Sequence, residues 1–247
     1  MTDTAALYDA VHTGTPGDVE FYLRLAEGAS SVLELGCGSG RVLVALAAAG
    51  HRATGIENDP AKLEAARARA ARAGVSVELV DTDMAHFDLG ARFDRIIVPF
   101  TGIYCLLTPR RLASCLRSVR KHLAPGGLFA FDAYAADEFH ERMRPSDYPD
   151  DRLELVVEIE HEGETLEVLE KSSWDRRKQR MDATYLYVTK DGDIRHEEVI
   201  GHRYLRRAQV EPLLARAGLE LVSVHGNFEG GPYDPSGGSL VVIARAA

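Results

Sequence analysis

The stretch VLELGCGSG, residues 32–40, places an apolar strand directly before a glycine-rich turn. Glycines let the backbone turn tightly and approach a ligand without a Cβ in the way. A helical pattern begins at Arg41, and the first turn of a helix offers N–H groups that have no partner within the helix. The stretch therefore predicts a strand, a ligand-binding turn and a helix N-terminus suited to a nucleotide-like cofactor.

The residues around this turn alternate between short apolar runs and longer stretches with helical periodicity. After SVLEL come RVLVALAAAG, RATGIE, PAKLEAARARAARAG and VSVELV, and this order predicts a βαβαβ unit with a parallel sheet. Asp59 and Thr108 each stand before a proline, which is typical of a helix start. The strands FDRIIV and LFAFD follow, so five strands are accounted for by residue 132. The sequence predicts an α/β fold with a doubly wound sheet.

Between residues 145 and 205 the helical stretches disappear. Four runs rich in β-branched and aromatic residues follow one another, separated by turn signals such as Lys-Asp-Gly-Asp at residues 190–193. A helix ended by Gly218 and two further strands then resume the α/β pattern. We therefore predict a single domain over residues 1–247 with an antiparallel β insertion at 145–205, which is too small to count as an independent domain.

Composition narrows the class of function. The chain has 29 Lys and Arg against 38 Asp and Glu, a formal net charge of −9, so its surface should on average repel nucleic acid and anionic lipid. No apolar run approaches the roughly 18 to 20 residues of a membrane span, and no secretory signal is visible. The three widely spaced cysteines, Cys37, Cys105 and Cys115, argue against a disulfide framework or a zinc site. We expect a cytoplasmic protein without a metal, and the exposed edges of the inserted sheet are compatible with a homodimer.

An acidic residue supports the cofactor prediction. Glu57 ends the second predicted strand and follows Gly36 by 57 − 36 = 21 residues. At about this spacing a carboxylate binds the ribose hydroxyls of a nucleotide cofactor, and the spacing alone fits two cofactor classes. A dinucleotide fingerprint asks for Gly or Ala at its sixth position, where this chain has Arg41. A nicotinamide-dependent dehydrogenase is therefore the weaker alternative.

The full pattern of the turn, Glu-x-Gly-x-Gly-x-Gly from Glu34, resembles the first motif of the class I S-adenosylmethionine-dependent methyltransferases. Asp83-Met84 resembles the adenine-contacting position of that family, and FDRIIV and HLAPGGLFAFD extend the similarity over about residues 31–132. The resemblance implies S-adenosylmethionine as the cofactor. It also implies a Rossmann-like methyltransferase fold, with a mostly parallel seven-stranded sheet whose last strand is antiparallel.

A narrower resemblance lies outside this core. Tyr8-Asp9, His12 and the β insertion are similar to features of bacterial small-molecule methyltransferases, such as the nucleotide-aminosugar N-methyltransferases. This resemblance implies that Tyr8 contacts the cofactor or the substrate, and that the insertion covers the substrate site.

The predicted site lies at the carboxyl ends of the strands, where open α/β sheets bind their ligands. There Glu57 can accept hydrogen bonds from two ribose hydroxyls and Asp83 from the adenine amine, while Met84 supplies apolar contact to the ring. The predicted cofactor-binding residues are Tyr8, Glu34, Gly36, Cys37, Gly38, Gly40, Glu57, Asn58, Asp83, Met84 and Pro99.

Methyl transfer to a nitrogen or oxygen of a small metabolite is the predicted reaction. Holding acceptor and methyl in line supplies roughly 7 to 11 kcal/mol when alignment is near ideal, and a neutral amine already carries its lone pair, so a general base is optional. Candidate catalytic residues are His12 and Tyr104, and candidate substrate residues are Asp132, Tyr134 and Trp174. Two alternatives keep the cofactor: a transferase or cyclase that attacks another carbon of the sulfonium, and a non-catalytic cofactor-binding protein.

Overall fold

The computed structural model describes residues 4–147, 149 and 152–247, so Tyr148, Asp150 and Asp151 of the predicted insertion and the first three residues lie outside it. The strands of the described residues are β1 (Ser31–Leu35), β2 (Arg52–Glu57), β3 (Glu78–Asp81), β4 (Phe93–Val98), β5 (Leu123–Tyr134), β6 (Glu154–His161), β7 (Glu164–Asp175), β8 (Arg180–Thr189), β9 (Ile194–Arg203), β10 (Leu219–His225) and β11 (Ser239–Ala246). The helices are α1 (Thr4–Val11), α2 (Asp18–Ala26), α3 (Arg41–Ala48), α4 (Pro60–Ala73), α5 (Pro109–His122), α6 (Asp137–Arg142) and α7 (Arg207–Arg216). None of these helices is long and apolar enough to cross a membrane.

Seven strands form the central sheet in the order β10-β11-β5-β4-β1-β2-β3. β1 to β5 pair in parallel, whereas β11 runs antiparallel to both β5 and β10. The predicted doubly wound, mostly parallel sheet is therefore confirmed. Because the strand order reverses at β1, with β2 on one side and β4 on the other, the crevice for a ligand opens at the carboxyl end of β1.

Helices cover both faces of this sheet, because successive residues of a strand point to opposite sides. Leu33 and Leu35 of β1 pack into the cluster formed with α5 and α7. Val32, which precedes Leu33, packs with α2 and α3 on the other face. Each of these side chains is fully buried, which stabilises the fold by roughly 1.5 to 3 kcal/mol per residue. The glycine-rich turn after β1 is thus anchored in the middle of the molecule.

Two helix starts that point toward the same edge carry the predicted caps. The Asp59 carboxylate accepts hydrogen bonds from Ala61 N (2.8 Å) and Lys62 N (3.3 Å) at the start of α4. The Thr108 hydroxyl accepts one from Arg111 N (3.2 Å) at the start of α5. Such caps contribute about 1 kcal/mol each, and they fix where α4 and α5 begin beside the strand ends.

β6 to β9 form a second, four-stranded antiparallel sheet in sequential order, as the sequence predicts. α6, just before it, was not predicted; it has only six residues. The inner face of the second sheet packs on α1. The buried Leu7 of α1 joins an apolar cluster formed by Ile159, Leu166, Val168 and Tyr187. α1 and the second sheet together therefore stand over the carboxyl ends of the central strands.

Candidate functional site

A cavity of about 560 Å³ lies at the carboxyl edge of the central sheet. Its walls come from the turns after β1 to β4 on one side, and from α1, β8 and β9 on the other. The predicted residues that line it are Tyr8, His12, Glu34, Gly36, Cys37, Gly38, Glu57, Asn58, Asp83, Met84 and Pro99. Residues as far apart in sequence as Tyr8 and His202 thus line the same cavity.

The glycine-rich turn forms the floor of the cavity. Gly36 and Gly38 have φ of +66° and +53°, a region that favours glycine. A Cβ on Gly38 would meet nothing within 4 Å, so the backbone there is open to a ligand. Gly40 does not line the cavity, contrary to the sequence-based expectation. A Cβ built on it would lie 3.3 Å from Ala66 Cβ, so Gly40 serves the close approach of α3 to α4.

Glu57 is held by backbone amides at the end of β2. Its Oε2 accepts a hydrogen bond from Gly38 N (3.0 Å), and its Oε1 accepts from Asn58 N (2.8 Å) and Asp59 N (3.1 Å). These bonds tie the carboxylate to the glycine-rich turn across the β1–β2 pair. Each oxygen has two lone-pair directions, so the fixed carboxylate can also accept hydrogen bonds from a ligand diol.

Asp83 and Met84 line the next part of the cavity, after β3. The Asp83 carboxylate accepts from Ala85 N (2.8 Å) and pairs with the Arg111 guanidinium (2.9 Å) from the first turn of α5. Met84 Sδ would lie 3.6 Å from a Cβ on Gly36, so the thioether adjoins the glycine-rich turn. Sequence reasoning missed Arg111, although the Thr108-Pro109 helix start indicated a first turn at this edge.

Glu34 and Arg41 bring a buried carboxyl group and a guanidinium to the floor of the cavity. Glu34 is buried, its Oε2 has no hydrogen-bond partner, and loss of hydration raises its pKa to about 8. The Arg41 guanidinium also lines the cavity and donates to both oxygens of the buried Asp18, at 2.8 and 2.5 Å. A Cβ on Gly14 would overlap this guanidinium, so glycine there leaves room for the pair. A carboxyl group with one unpartnered oxygen, beside a fixed guanidinium, offers hydrogen-bond partners to a ligand that carries both an ammonium and a carboxylate.

α1 closes the cavity from above and is bonded to the core. Asp9 accepts from the Ser39 hydroxyl (2.6 Å) and pairs with Arg69 of α4 (2.6 Å). The Lys62 ammonium lies 3.6 Å from the centre of the Tyr8 ring, a cation–π contact. Burial raises the pKa of the Tyr8 hydroxyl far above its usual value, so the phenol stays neutral. These contacts set Tyr8 in the roof of the cavity.

Two imidazoles face the cavity from opposite elements. The His12 ring packs edge-on against Tyr185 of β8, with centroids 4.9 Å apart, and its Nε2 is buried without a hydrogen-bond partner. His202 of β9 packs against the Tyr134 ring at 5.8 Å. Burial lowers the pKa of each histidine to about 4, so both rings are neutral near pH 7. Sequence reasoning missed Tyr185 and His202, because a single strand pattern does not show which residues of the insertion face the core.

Tyr104 and Tyr134 do not line the cavity. Tyr104 is fully buried, and its hydroxyl donates toward the carbonyl oxygens of Tyr134 (3.0 Å) and Leu205 (3.1 Å). The structure therefore places the Tyr104 hydroxyl in the core, outside the cavity in which the sequence-based expectation put it. Tyr134 stands behind His202 and supports that ring from outside the cavity.

Asp132 and Trp174 also lie outside the cavity lining. The buried Asp132 accepts from the Tyr22 hydroxyl (2.6 Å) and from Phe100 N (2.9 Å), and burial raises its pKa to about 6. It thereby holds the turn that carries Phe100 into the cavity. Trp174 is buried, and its Nε1 donates to the Tyr204 hydroxyl (3.0 Å), so it packs the base of the second sheet. Both predicted substrate residues therefore lie behind the cavity wall and not on its surface.

The donor set fits the cofactor that the sequence resemblance implies. Glu57 suits a ribose diol, Asp83 with Met84 suits an adenine, and the unpaired Glu34 beside Arg41 suits the amino-acid end of S-adenosylmethionine. Cys37 fits a packing role only, because its Sγ lies where a Cβ on Gly55 would be and burial raises the pKa of its thiol.

Comparison with known proteins gives the same picture. A methyltransferase domain family model matches residues 32–127. The dTDP-3-amino-3,6-dideoxy-alpha-D-glucopyranose N,N-dimethyltransferase of Streptomyces fradiae is 28% identical over 238 residues, 92% of this chain and 88% of the relative. Among solved structures, the CcbJ methyltransferase from Streptomyces caelestis is similar with a TM-score of 0.84 and 29% identity over 98% of this chain and 96% of that one. CalS10, an amino pentose methyltransferase from Micromonospora echinaspora with bound SAM, has a TM-score of 0.65 and 25% identity over 98% and 97%.

Proposed function

We propose that the chain is a class I S-adenosylmethionine-dependent methyltransferase that methylates a nitrogen of a small metabolite. The observation that carries the proposal is one cavity with two unlike walls. Glu34 and Glu57 line the wall formed by the central sheet, and the neutral His12 and His202 line the opposite wall. Nitrogen as the acceptor is supported by the Streptomyces fradiae relative, an N,N-dimethyltransferase, and by the amino pentose methyltransferase structure.

Holding the cofactor is the task of the wall formed by the central sheet. We assign Glu57 to the ribose hydroxyls, Asp83 and Met84 to the adenine, and Glu34 and Arg41 to the amino-acid end. When bound, the cofactor supplies an electrophilic methyl group on a sulfonium, and the C–S electron pair stays on sulfur as the acceptor's lone pair forms the new bond. The carboxylates of this wall also suit the positive charge of the sulfonium.

The opposite wall orients the acceptor nitrogen. His12, Tyr185 and Phe100 restrict where an acceptor can lie, and such alignment is worth several kcal/mol of the barrier. The buried Nε2 of His12 has no partner in the described residues and the ring is neutral at pH 7, so it can hydrogen-bond to the acceptor amine and orient it. Asp132 acts indirectly on the acceptor, because it accepts a hydrogen bond from Phe100 N and so holds the turn that carries Phe100.

We further propose that residues 1–247 act as one domain in the cytoplasm, with the insertion at 145–205 covering the acceptor. Support comes from α1, which packs on the second sheet through Leu7 and on the core through Asp9. The acidic net charge of −9 disfavours nucleic acid as the acceptor. The outer strand β6 exposes Leu155 and Val156, an edge that a second copy could cover in a homodimer.

The experiment is incubation of the protein with methyl-labelled S-adenosylmethionine and a fractionated metabolite extract. We expect one labelled product that carries the label on nitrogen, and an equal amount of S-adenosylhomocysteine by mass spectrometry. Methylthioadenosine as the spent cofactor would instead identify attack on a different carbon. Tight cofactor binding without any labelled product would support a non-catalytic protein.

A further inference from the structure

The acceptor wall differs in chemistry from the cofactor wall. The side chains that α1, β8 and β9 contribute to it beyond Asp9 are uncharged: Tyr8, His12, Ala183, Tyr185, Ile200 and His202. Aromatic faces and neutral imidazoles dominate this surface, and the His12 ring packs against the rings of both Tyr8 and Tyr185. Such a surface suits an apolar or aromatic body that carries few charges.

Each cation that lines the cavity already faces a partner. Arg41 is paired with Asp18, Arg69 with Asp9, and Arg111 with Asp83. Lys62 lies over the Tyr8 ring and interacts with the half-buried Glu198 of β9. With Arg41 assigned to the cofactor and Arg69 and Arg111 in ion pairs, Lys62 is the one cation of the cavity, among the described residues, that lies outside an ion pair. A single ammonium falls short of what a buried diphosphate needs.

The charged groups just behind the acceptor wall would repel phosphate. Glu170 hydrogen-bonds with Tyr185, and Glu198 acts electrostatically on Tyr8. The arginines at the base of the second sheet, Arg203 and Arg206, do not line the cavity. A buried diphosphate needs several Lys or Arg side chains, because unpaired charge is costly to desolvate.

We propose that the acceptor is an amine on an uncharged, partly apolar body, and not an amine linked to a nucleoside diphosphate. This inference rests on the proposed function and names its substrate class. It separates this chain from the Streptomyces fradiae relative, whose name specifies a dTDP-linked sugar.

His12 and His202 favour the reactive form of such an amine. His12 faces Lys62 of α4, Asp9 of α1, Tyr185 of β8 and His202, while His202 faces Asp182 and Arg180 of β8, Tyr104 and Tyr134. In these surroundings both imidazoles stay neutral and present lone pairs or N–H groups to the ligand. A neutral amine hydrogen-bonds to such rings while keeping its own lone pair for the methyl carbon.

The first test uses the product of the labelling experiment. Anion exchange at pH 8 separates nucleotide-linked products from phosphate-free amines. We expect the label in the unretained fraction, unaffected by phosphodiesterase. Label in a retained, phosphodiesterase-sensitive fraction would overturn the inference while leaving nitrogen methylation intact. Absence of any labelled product would count against the proposed function and the inference together.

A binding measurement checks the same point without turnover. Protein saturated with S-adenosylhomocysteine is titrated calorimetrically with dTDP. We expect no detectable binding at about 1 mM dTDP, because a diphosphate with too few charged partners in the cavity does not offset the cost of its own desolvation. A dTDP dissociation constant below about 100 μM, about −5.5 kcal/mol, would contradict the inference.

The assignment of His202 to the acceptor has its own control on the same strand. We expect His202→Asn to raise the acceptor KM at least 10-fold with kcat changed less than about 3-fold, because the variant alters binding more than alignment. His196 of the same sheet packs on Tyr187 and does not line the cavity, so His196→Asn should leave both constants unchanged. Equal effects of the two variants would remove His202 from the acceptor site.

Discussion

The two walls of the cavity are built in different ways. The cofactor wall consists of turns that follow parallel strands, and its main carboxylate, Glu57, is fixed by three backbone amides. The acceptor wall is assembled from side chains of α1 and the second sheet, with His12 and His202 nearly 200 positions apart in the chain. The first wall therefore follows from the fold, whereas the second depends on which side chains the insertion brings to it. Substitutions in the first wall should therefore change cofactor affinity, and substitutions in the second should change the reaction with the acceptor.

The largest effect is expected at Glu57. Glu57→Ala removes the carboxylate assigned to the ribose, and two charged hydrogen bonds at about 1.5 to 3 kcal/mol each correspond to an affinity loss of at least roughly 100-fold. Calorimetric titration with S-adenosylhomocysteine measures this loss.

Asp94 is the matched control for that variant. Its carboxylate also accepts backbone hydrogen bonds, from Ser30 N (2.8 Å) and Ser31 N (3.0 Å), but at the opposite edge of the sheet. Asp94→Ala should lower the melting temperature and leave the affinity within about twofold. If both variants lose affinity equally, the effect of Glu57 is structural rather than a ligand contact.

A smaller effect, confined to the acceptor wall, is expected at His12. His12→Asn removes a ring that orients the acceptor, and for an amine, which needs no base to react, we expect kcat to fall only about 10-fold through poorer alignment. Affinity for S-adenosylhomocysteine should change less than about threefold. His161→Asn is the control, because His161 Nε2 is also buried without a partner but lies outside the cavity. Loss of cofactor affinity in His12→Asn would break the distinction between the two walls.

Glu34 gives the cofactor wall a pH dependence. Its folded pKa of about 8 lies above the unfolded value, so the folded protein binds more protons and the free energy of unfolding falls as pH rises from about 4.5 to 8. Glu34→Gln should remove this decline, so the cofactor-free variant should gain stability over the parent protein at pH 8 but not at pH 5. Urea unfolding at pH 5 and pH 8 measures it. An unchanged pH dependence in the variant would show that Glu34 is not the group responsible.

The smallest effect on activity is expected at Tyr104. Because its hydroxyl bonds to two carbonyls in the core, Tyr104→Phe should cost about 1 to 2 kcal/mol of stability and change kcat/KM less than about twofold. Chemical denaturation and steady-state kinetics on the same sample give both values. A loss of kcat/KM by orders of magnitude would return Tyr104 to the list of catalytic residues.

The sequence predicts the sheet and the cofactor wall well, for a physical reason. Parallel strands end at one edge, so residues that follow strand patterns, such as Glu57 and Asp83, must lie together there. Glycine spacing also carries information, because only glycine adopts the backbone at Gly38 without strain. Gly40 fits the same glycine pattern but packs against α4. The spacing of the glycines does not distinguish this packing role from ligand binding.

The acceptor wall is harder to predict because strand patterns show alternation and not direction. Trp174 and His202 both lie on inserted strands, yet one packs in the core and the other lines the cavity. Tyr104 lies in a short 3₁₀ turn, Gly102–Cys105, which directs its ring inward. Tertiary packing decides these orientations: Trp174 bonds to Tyr204, and Tyr104 bonds to Tyr134 and Leu205.

Hydrogen exchange with and without S-adenosylhomocysteine tests the two-wall account most directly. We predict that the ligand alone slows amide exchange in residues 36–40, 57–59 and 83–85, while β8 and β9 exchange at their ligand-free rates. Protection of β8 and β9 equal to that of the glycine-rich turn would contradict the account, because the cofactor would then be held by the wall assigned to the acceptor.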